Sequence, residues 1–507
     1  MPRGAAIALI LGGAGLALAL YIPWVARPFD ILDFSEFLPL LRRETGFGGR
    51  FVALADYAAR EHGRLNLVSY AALAAKWSIL GDSPALWQWL RFVEIGLLVA
   101  GIYALARRLG ASALGAVAAA VLLLTSRSGE EAQIRLTMGE PLGLGLMLGA
   151  ALALTSDPAL RSTARTTAAA SILVAAAILA KEMMVGWVPF LLFLGLCYRE
   201  RRLGAPVWDR RSRTIVLGVG AAALVSMAAV VLAATRGSAD SLTASYQVQT
   251  VTPYRLGSLW DRIIMPQSTL GHWSMWLHPA NLLLALTCFG GDALGLAQPE
   301  ERRHVLLMTG VGTVLPAIGA VLYVPWPYFN TFYALPFQVG PALLLATAVT
   351  AVERHAPRAR WAAYAGAAGM AFFAAVSSAY AARGTIARQQ VNGEIAHALA
   401  AYASVDSIVV AQQFPAPQQW QGTGPTLRRY ALAVQAATAL PPALDVSCRE
   451  SRTLLNGKLG NTLLISYGDL CGGIPGASRR MRRYFRYLDY TVWAWKTDSV
   501  AADLLAP

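Results

Sequence analysis

The sequence predicts a mainly α-helical polytopic membrane protein with about eleven transmembrane helices, outer juxtamembrane helices and a small C-terminal α/β domain. Two observations carry this prediction. Of the 507 residues, 56% are hydrophobic and only 14% are charged, whereas soluble domains carry about 25% charged residues. Apolar runs of about 17–25 residues, the length that spans a bilayer, recur along the chain. Both observations argue against a soluble globular protein.

The distribution of arginines predicts which loops face the cytoplasm. The first apolar run, 5–25, is followed by Arg27 with no small-residue cleavage site before it, so we interpret it as an uncleaved span. Segment 199–213 holds six arginines against two acids, while segment 26–85 balances seven basic residues with seven acids. Because Lys and Arg collect in cytoplasmic loops, the N-terminus is predicted inside and the C-terminus outside. The net charge of +14 therefore reflects topology, and nucleic-acid binding is not expected.

Two domains are predicted, a transmembrane module at 1–382 and an outer soluble domain at 383–507. Within the module, apolar residues of the outer loop 26–85 repeat at helical spacing, which predicts two or three amphipathic helices on the membrane surface. Glycines predict breaks in this loop at Gly46–Gly49, at Gly63 and at Gly81–Pro84.

The segment 383–507 is richer in polar, Gly and Pro residues, and it contains no run long enough to span a membrane. Cys448 and Cys471 lie in this part, where an extracytoplasmic location would permit a disulfide. Short β-branched and aromatic runs predict three strands, at 407–411, 462–467 and 490–495.

Three carboxylates, Asp30, Asp33 and Glu36, follow the first span at a spacing of three residues. On a helix, residues three apart share a face, so the acids would form a row at the outer membrane surface. A positioned carboxylate can deprotonate an attacking hydroxyl. The alternative is a helix start in which one Asp caps free N–H groups and Glu36 faces water. We predict that Asp33, the central acid, is the base and that Asp30 and Glu36 support it.

Lys181 and Glu182 form a charged pair in a short outer turn between two apolar runs. Ionisable residues at such a boundary are expensive and are usually functional. A lysine here could bind a lipid phosphate as a point charge. The alternative is an interfacial turn with a snorkelling lysine.

Several further residues of the predicted outer segments could contact substrate. Cations between the loop helices could neutralise a phosphate leaving group, and polar or aromatic residues elsewhere could bind donor or acceptor. Each group also has a structural alternative, as a surface turn, an interhelical loop or an interfacial aromatic belt. These candidates are Arg60, His62, Arg64, Glu131, Arg135, His272, Tyr328, Asn330 and Tyr333.

Taken together, these motifs resemble the GT-C superfamily of integral-membrane glycosyltransferases, in the branch of protein O-mannosyltransferases and bacterial lipid-phosphate-sugar transferases. The resemblance covers roughly residues 1–350. Two features depart from the family pattern: the acids are three apart rather than adjacent, and no arginine precedes Tyr333. The matching features are the acids after a single span, Gly-Arg64-Leu-Asn-Leu, Leu-Ala-Lys181-Glu182 and Tyr333-Ala-Leu-Pro.

The resemblance implies an inverting transferase in the bacterial inner membrane, with its C-terminal domain in the periplasm. Its donor would be a polyprenyl-phosphate-linked sugar, and its acceptor a hydroxyl of a glycan, lipid or protein. No metal or other cofactor is expected to be required, because Lys and Arg can neutralise a monophosphate. A divalent ion held by Asp33 and the Glu130–Glu131 segment stays open as an alternative.

Two other function classes stay open from the sequence. One is a transporter or flippase of lipid-linked sugars, although such proteins generally carry internal repeats and broken helices, and no repeat stands out here. The other is a different lipid-linked group transferase.

Overall fold

A computed structural model describes residues 34–137, 139–156, 163–203, 208–236 and 331–355, five strands between 407 and 495, and isolated positions elsewhere. The helices are α1 (Phe34–Arg43), α2 (Gly46–His62), α3 (Leu67–Leu80), α4 (Pro84–Arg108), α5 (Ala113–Thr125), α6 (Arg127–Ile134), α7 (Glu140–Leu154), α8 (Thr163–Ala180), α9 (Val188–Leu203), α10 (Arg210–Arg236) and α11 (Val339–His355). Two 3-10 turns, Glu182–Trp187 and Thr331–Ala334, complete the described helical part.

The chain divides into two compact units. The first comprises 1–25 and 46–381, and the second comprises 26–45 and 382–507. In the first unit α8 packs against α7 and α10, while α5 packs against α4 and α11.

Small residues permit the close packing of α5 and α11. A Cβ placed on Gly115 would lie 2.5 Å from the carbonyl oxygen of Ala346, so the two backbones are in direct contact. The neighbouring Ala116 and Ala119 of α5 are fully buried. Close backbone approach through Gly and Ala is typical of helices that associate within a membrane, where hydrophobic burial gives little driving force.

Within the described residues, α4 and α10 are long and apolar enough to cross a membrane. Helices α3, α5, α7 and α8 are apolar but shorter. The predicted total of about eleven spans includes segments outside the described residues, so that number stays a prediction.

Three helices, α1, α2 and α3, occupy residues 34–80 of the predicted outer loop. Gly63 and Gly81, at two of the predicted breaks, have left-handed φ values of 59° and follow the ends of α2 and α3. The break predicted across Gly46–Gly49 is wrong in its extent. Gly46 alone has φ of +68°, and α2 starts there, so the remaining glycines belong to the helix.

The second unit contains a five-stranded sheet in the order β2-β1-β3-β5-β4. Strand β1 pairs in parallel with β2 and β3, and β5 pairs antiparallel with β3 and β4. Strands β1, β3 and β5 lie at the three segments predicted as strands, while β2 and β4 are additional. The strands are β1 (Ser407–Gln412), β2 (Ala443–Ser447), β3 (Thr462–Tyr467), β4 (Arg480–Met481) and β5 (Thr491–Trp495).

The end of α11 and the connection between α4 and α5 meet in the first unit. The guanidinium of Arg354 donates to the carbonyl oxygen of Gly110 at 2.8 Å. The backbone N–H of Ser112 donates to Thr350 Oγ1, also at 2.8 Å. These bonds join the end of α11 to the α4–α5 connection.

Candidate functional site

Separate segments of the first unit meet around Lys181. The Nζ atom of Lys181 lies 3.1 Å from Glu140 Oε1, at the start of α7. Both residues are buried, with 8% of Lys181 and 2% of Glu140 exposed. The ammonium also lies 5.1 Å from the ring centroid of Tyr333, within range of a cation–π interaction.

Local backbone structure explains the placement of the ion pair. Helix α8 ends at Ala180 and Lys181 is extended, with φ of −157° and ψ of 119°, so its side chain leaves the helical path. Helix α7 begins with Glu140 and has Pro in its first turn, where a missing N–H costs nothing. A carboxylate in the first turn also complements the positive end of the helix dipole.

The loop between α2 and α3 supplies the second half of the cluster. The Asn66 side chain hydrogen-bonds to the Glu182 carboxylate. Burial alone would raise the pKa of Glu182, but the charges of Lys181 and Arg64 outweigh it and hold that pKa below its usual value. Glu182 therefore stays ionised at neutral pH.

Lys181 stays charged for the complementary reason. Burial would lower the pKa of Lys181, but the carboxylates of Glu140 and Glu182 outweigh burial and raise it above the usual lysine value. Two cations, Lys181 and Arg64, thus face two carboxylates in one partly buried cluster. We call these four side chains, together with Asn66 and Tyr333, the Lys181 cluster.

Close backbone packing holds together three segments of the chain beside the Lys181 cluster. Ser69 Oγ of α3 donates to the carbonyl oxygen of Ala180 at 2.7 Å. A Cβ on Gly139 would lie 2.6 Å from Ser69 Oγ and 2.8 Å from the Ala180 oxygen. The missing side chain of Gly139, which precedes Glu140, therefore allows close contact with Ala180, which precedes Lys181.

Comparison with solved structures identifies the architecture. The crystal structure of ArnT from Cupriavidus metallidurans in the apo state is similar over 97% of this chain and 98% of that chain, with a TM-score of 0.51 and 15% sequence identity. The chain has the GT-C fold. The same ArnT bound to undecaprenyl phosphate gives a TM-score of 0.50, with the same identity and coverage. This likeness confirms the fold that the sequence motifs predict.

More distant GT-C structures are also similar to this chain. The Archaeoglobus fulgidus oligosaccharyltransferase in the apo form has a TM-score of 0.48 and 12% identity, over 87% of this chain and 64% of that chain. No family model matches the sequence, and no curated protein matches it either.

The GT-C module brings together four of the predicted site residues, Arg64, Lys181, Glu182 and Tyr333. Arg60 is exposed instead, and its Nε lies 2.8 Å from Asp56 Oδ1 one helical turn earlier. Arg135 is partly exposed just after α6. Glu36, His62 and Glu131 lie in described helices, but their side chains are outside the described structure. The remaining candidates lie outside the described residues: Asp30, Asp33, His272, Tyr328 and Asn330.

Glu140 and Asn66 were not among the predicted site residues. The sequence does offer a clue to Glu140: it is an acid at the start of an apolar run, Glu-Pro-Leu-Gly-Leu, near the predicted outer side. The sequence analysis paired Lys181 with its neighbour Glu182. In the structure, Lys181 also forms an ion pair with Glu140 of α7. Asn66 carries no charge and gave no sequence signal of its own.

The side chains that could bind a metal ion are dispersed in the described part of the first unit. Among the residues that the structure describes, no three His, Cys, Asp or Glu side chains are grouped to hold a metal ion. The predicted alternative, an ion held by Asp33 and the Glu130–Glu131 segment, involves side chains outside the described part.

The contact of Gly139 leads to a stability prediction. Gly139→Ala is expected to lower the stability of the protein by about 1–3 kcal/mol, because the new methyl group overlaps Ser69 Oγ and the Ala180 oxygen. Thermal unfolding of the detergent-solubilised protein measures the change. Gly96→Ala is the matched control, since a Cβ there meets nothing within 4 Å in the middle of α4. Equal melting temperatures for the two variants would contradict the contact.

Proposed function

We propose that this protein is an inverting glycosyltransferase, moving a sugar from a polyprenyl-phosphate donor to a hydroxyl acceptor at the outer face of the bacterial cytoplasmic membrane. The observation that carries the proposal is the Lys181 cluster. It is a partly buried set of charges on the GT-C fold, at the turn where the sequence predicts a lipid-phosphate contact.

Lys181 has the chemistry that a lipid phosphate requires. An ammonium group has three N–H donors, and the contact with Glu140 at 3.1 Å engages one of them. Its raised pKa keeps it cationic. Arg64 adds a guanidinium, whose planar fork suits phosphate oxygens. Together they would bind the donor phosphate and stabilise the charge on the departing lipid phosphate.

The proposed reaction is a single displacement. Asp33 takes the proton of the acceptor hydroxyl, whose oxygen forms a bond to the anomeric carbon from the face opposite the phosphate. The bond between the anomeric carbon and the phosphate oxygen breaks, and polyprenyl phosphate leaves with the electron pair. Asp30 and Glu36 support the base. His62, Arg60, Arg135, Glu131, His272, Tyr328, Asn330 and Tyr333 remain proposed substrate contacts.

The donor class is supported by one of the similar structures. ArnT was solved bound to undecaprenyl phosphate, a lipid that carries a single phosphate. A monophosphate is also the leaving group that two cations can neutralise without a metal ion. We therefore propose that no cofactor is required and that transfer persists in a chelator.

The test is a transfer assay with the purified protein in liposomes. Labelled polyprenyl-monophosphate sugars, with matched diphosphate donors as controls, are incubated with glycan, lipid and peptide acceptors. The expected result is labelled product together with an equal amount of free polyprenyl phosphate. Movement of intact donor between leaflets, with no cleavage, would favour the transporter reading and contradict the proposal.

A further inference from the structure

A second charged network lies in the first unit, among α3, α4 and the segment after α6. Arg91 of α4 is 2% exposed, and its Nη1 lies 3.0 Å from Glu94 Oε2. The other oxygen of Glu94 forms an ion pair with Lys76 Nζ of α3. Arg91 Nη2 also donates to the carbonyl oxygen of Leu136 at 2.6 Å.

Gln88 makes a second contact of the same kind. It is 1% exposed, lies three residues before Arg91 on the same face of α4, and donates to the carbonyl oxygen of Gln133 at 2.8 Å. Gln133 Nε2 in turn donates to the carbonyl oxygen of Leu124, at 3.0 Å. Two buried side chains of one apolar helix therefore bind the backbone of segment 133–136.

Burying charged side chains such as Arg91 lowers the free energy of unfolding unless each charge is paired. Charges within an apolar helix are expensive unless they are paired, and they are usually functional. In this network the fork of Arg91 has two separate targets, a carboxylate and a backbone carbonyl. A lysine could not satisfy both with a fixed geometry.

The bound segment leads directly into the Lys181 cluster. Leu136 precedes Glu140 by four residues, a distance of about 14 Å at full extension. On the other side, α3 carries Lys76 two turns after Ser69, on the same face. Ser69 donates to the carbonyl oxygen of Ala180, the residue before Lys181, so α3 also contacts the chain next to the ion pair of Lys181 and Glu140.

We propose that Arg91 and Gln88 are positioning residues, which fix the backbone of segment 133–136 shortly before Glu140, so that Glu140 holds the Lys181 ammonium in place for a phosphate. Glu94 orients Arg91. The role in binding a phosphate donor rests on the proposed function. The positioning of Lys181 is independent of that function, and separate measurements test the two claims.

The first measurement needs no substrate. The full-length protein is treated with an amine-reactive reagent, and the rate of Lys181 modification is followed by mass spectrometry. Arg91→Met is expected to raise that rate about fivefold, because the loss of the Leu136 contact loosens the partner of Lys181. Arg354→Met is the comparison variant. It removes an exposed arginine–carbonyl bond, to Gly110, elsewhere in the first unit, and should leave the rate unchanged.

The second measurement uses the transfer assay. Arg91→Met is expected to lower kcat/KM for the donor about tenfold, through a higher KM because the phosphate binds more weakly and a lower kcat because Lys181 also stabilises the departing phosphate. Arg91→Lys should fall between it and the parent protein. Gln88→Leu should change KM in the same direction. If Arg354→Met alters KM and the labelling rate as much as Arg91→Met does, the effect is general destabilisation and the proposal is wrong.

Failure of the two hypotheses can be told apart. An unchanged rate of Lys181 modification in Arg91→Met overturns the positioning role, whatever the assay gives. A faster rate together with a parent protein that transfers no sugar from any donor supports the positioning role and contradicts the proposed function.

Discussion

Lys181→Met is expected to lower the stability of the folded protein by about 3–5 kcal/mol, the usual loss when one partner of a buried ion pair is removed. The loss arises because the Glu140 carboxylate, which is 2% exposed, loses the ammonium group that lies 3.1 Å from it. Glu182 is less affected, since Arg64 and Asn66 still interact with it. Unfolding in mixed detergent micelles, followed by tryptophan fluorescence, measures the difference.

The double variant Lys181→Met/Glu140→Leu is the control for this prediction. It removes both charges and fills the space with apolar atoms, so most of the lost stability should return. Recovery of stability without recovery of transfer would separate the structural role of the pair from its proposed role in phosphate binding. If the double variant is as unstable as the single one, Glu140 is not the charge that Lys181 balances.

Asp33→Asn is expected to reduce the transfer rate by about 10²–10⁴-fold, the usual contribution of a general base. The amide keeps the size and hydrogen-bonding capacity of the carboxylate but cannot accept the acceptor's proton. The measurement is transfer of labelled sugar from the polyprenyl-phosphate donor, with circular dichroism to establish that the variant is folded.

Asp30→Asn and Glu36→Gln are the matched controls for the base. Both make the same chemical change within three residues of Asp33, and each should reduce the rate much less. Full activity of Asp33→Asn, or a larger loss in either control, would contradict the assignment.

Much of the fold follows from patterns that are local in sequence. Apolar runs of bilayer length predict α4 and α10, and helical spacing predicts the juxtamembrane helices. Strand β2, in contrast, reads Ala-Leu-Asp-Val-Ser, with little β propensity, and it gains its hydrogen bonds from β1. The extent of the glycine break at Gly46 was also not predictable, since one left-handed residue was sufficient.

The candidate site was predictable only in part, for a similar reason. Lys181 and Glu182 are adjacent charges in an apolar stretch, so composition alone marks them. Glu140 and Asn66 join them through long-range contacts, for which one sequence holds no direct signal. Arg91 and Glu94 did carry a signal, as ionisable residues three apart within a predicted span.

The equal number of cations and carboxylates in the Lys181 cluster has a consequence for how a donor reaches it. A site with a large excess of positive charge attracts anions over long range and captures them faster at low salt. The charges of these four side chains sum to zero, so together they contribute no net long-range attraction for an anion: Lys181, Arg64, Glu140 and Glu182. Capture of a lipid-anchored donor would then depend on lateral diffusion within the bilayer, and its rate should change little with ionic strength.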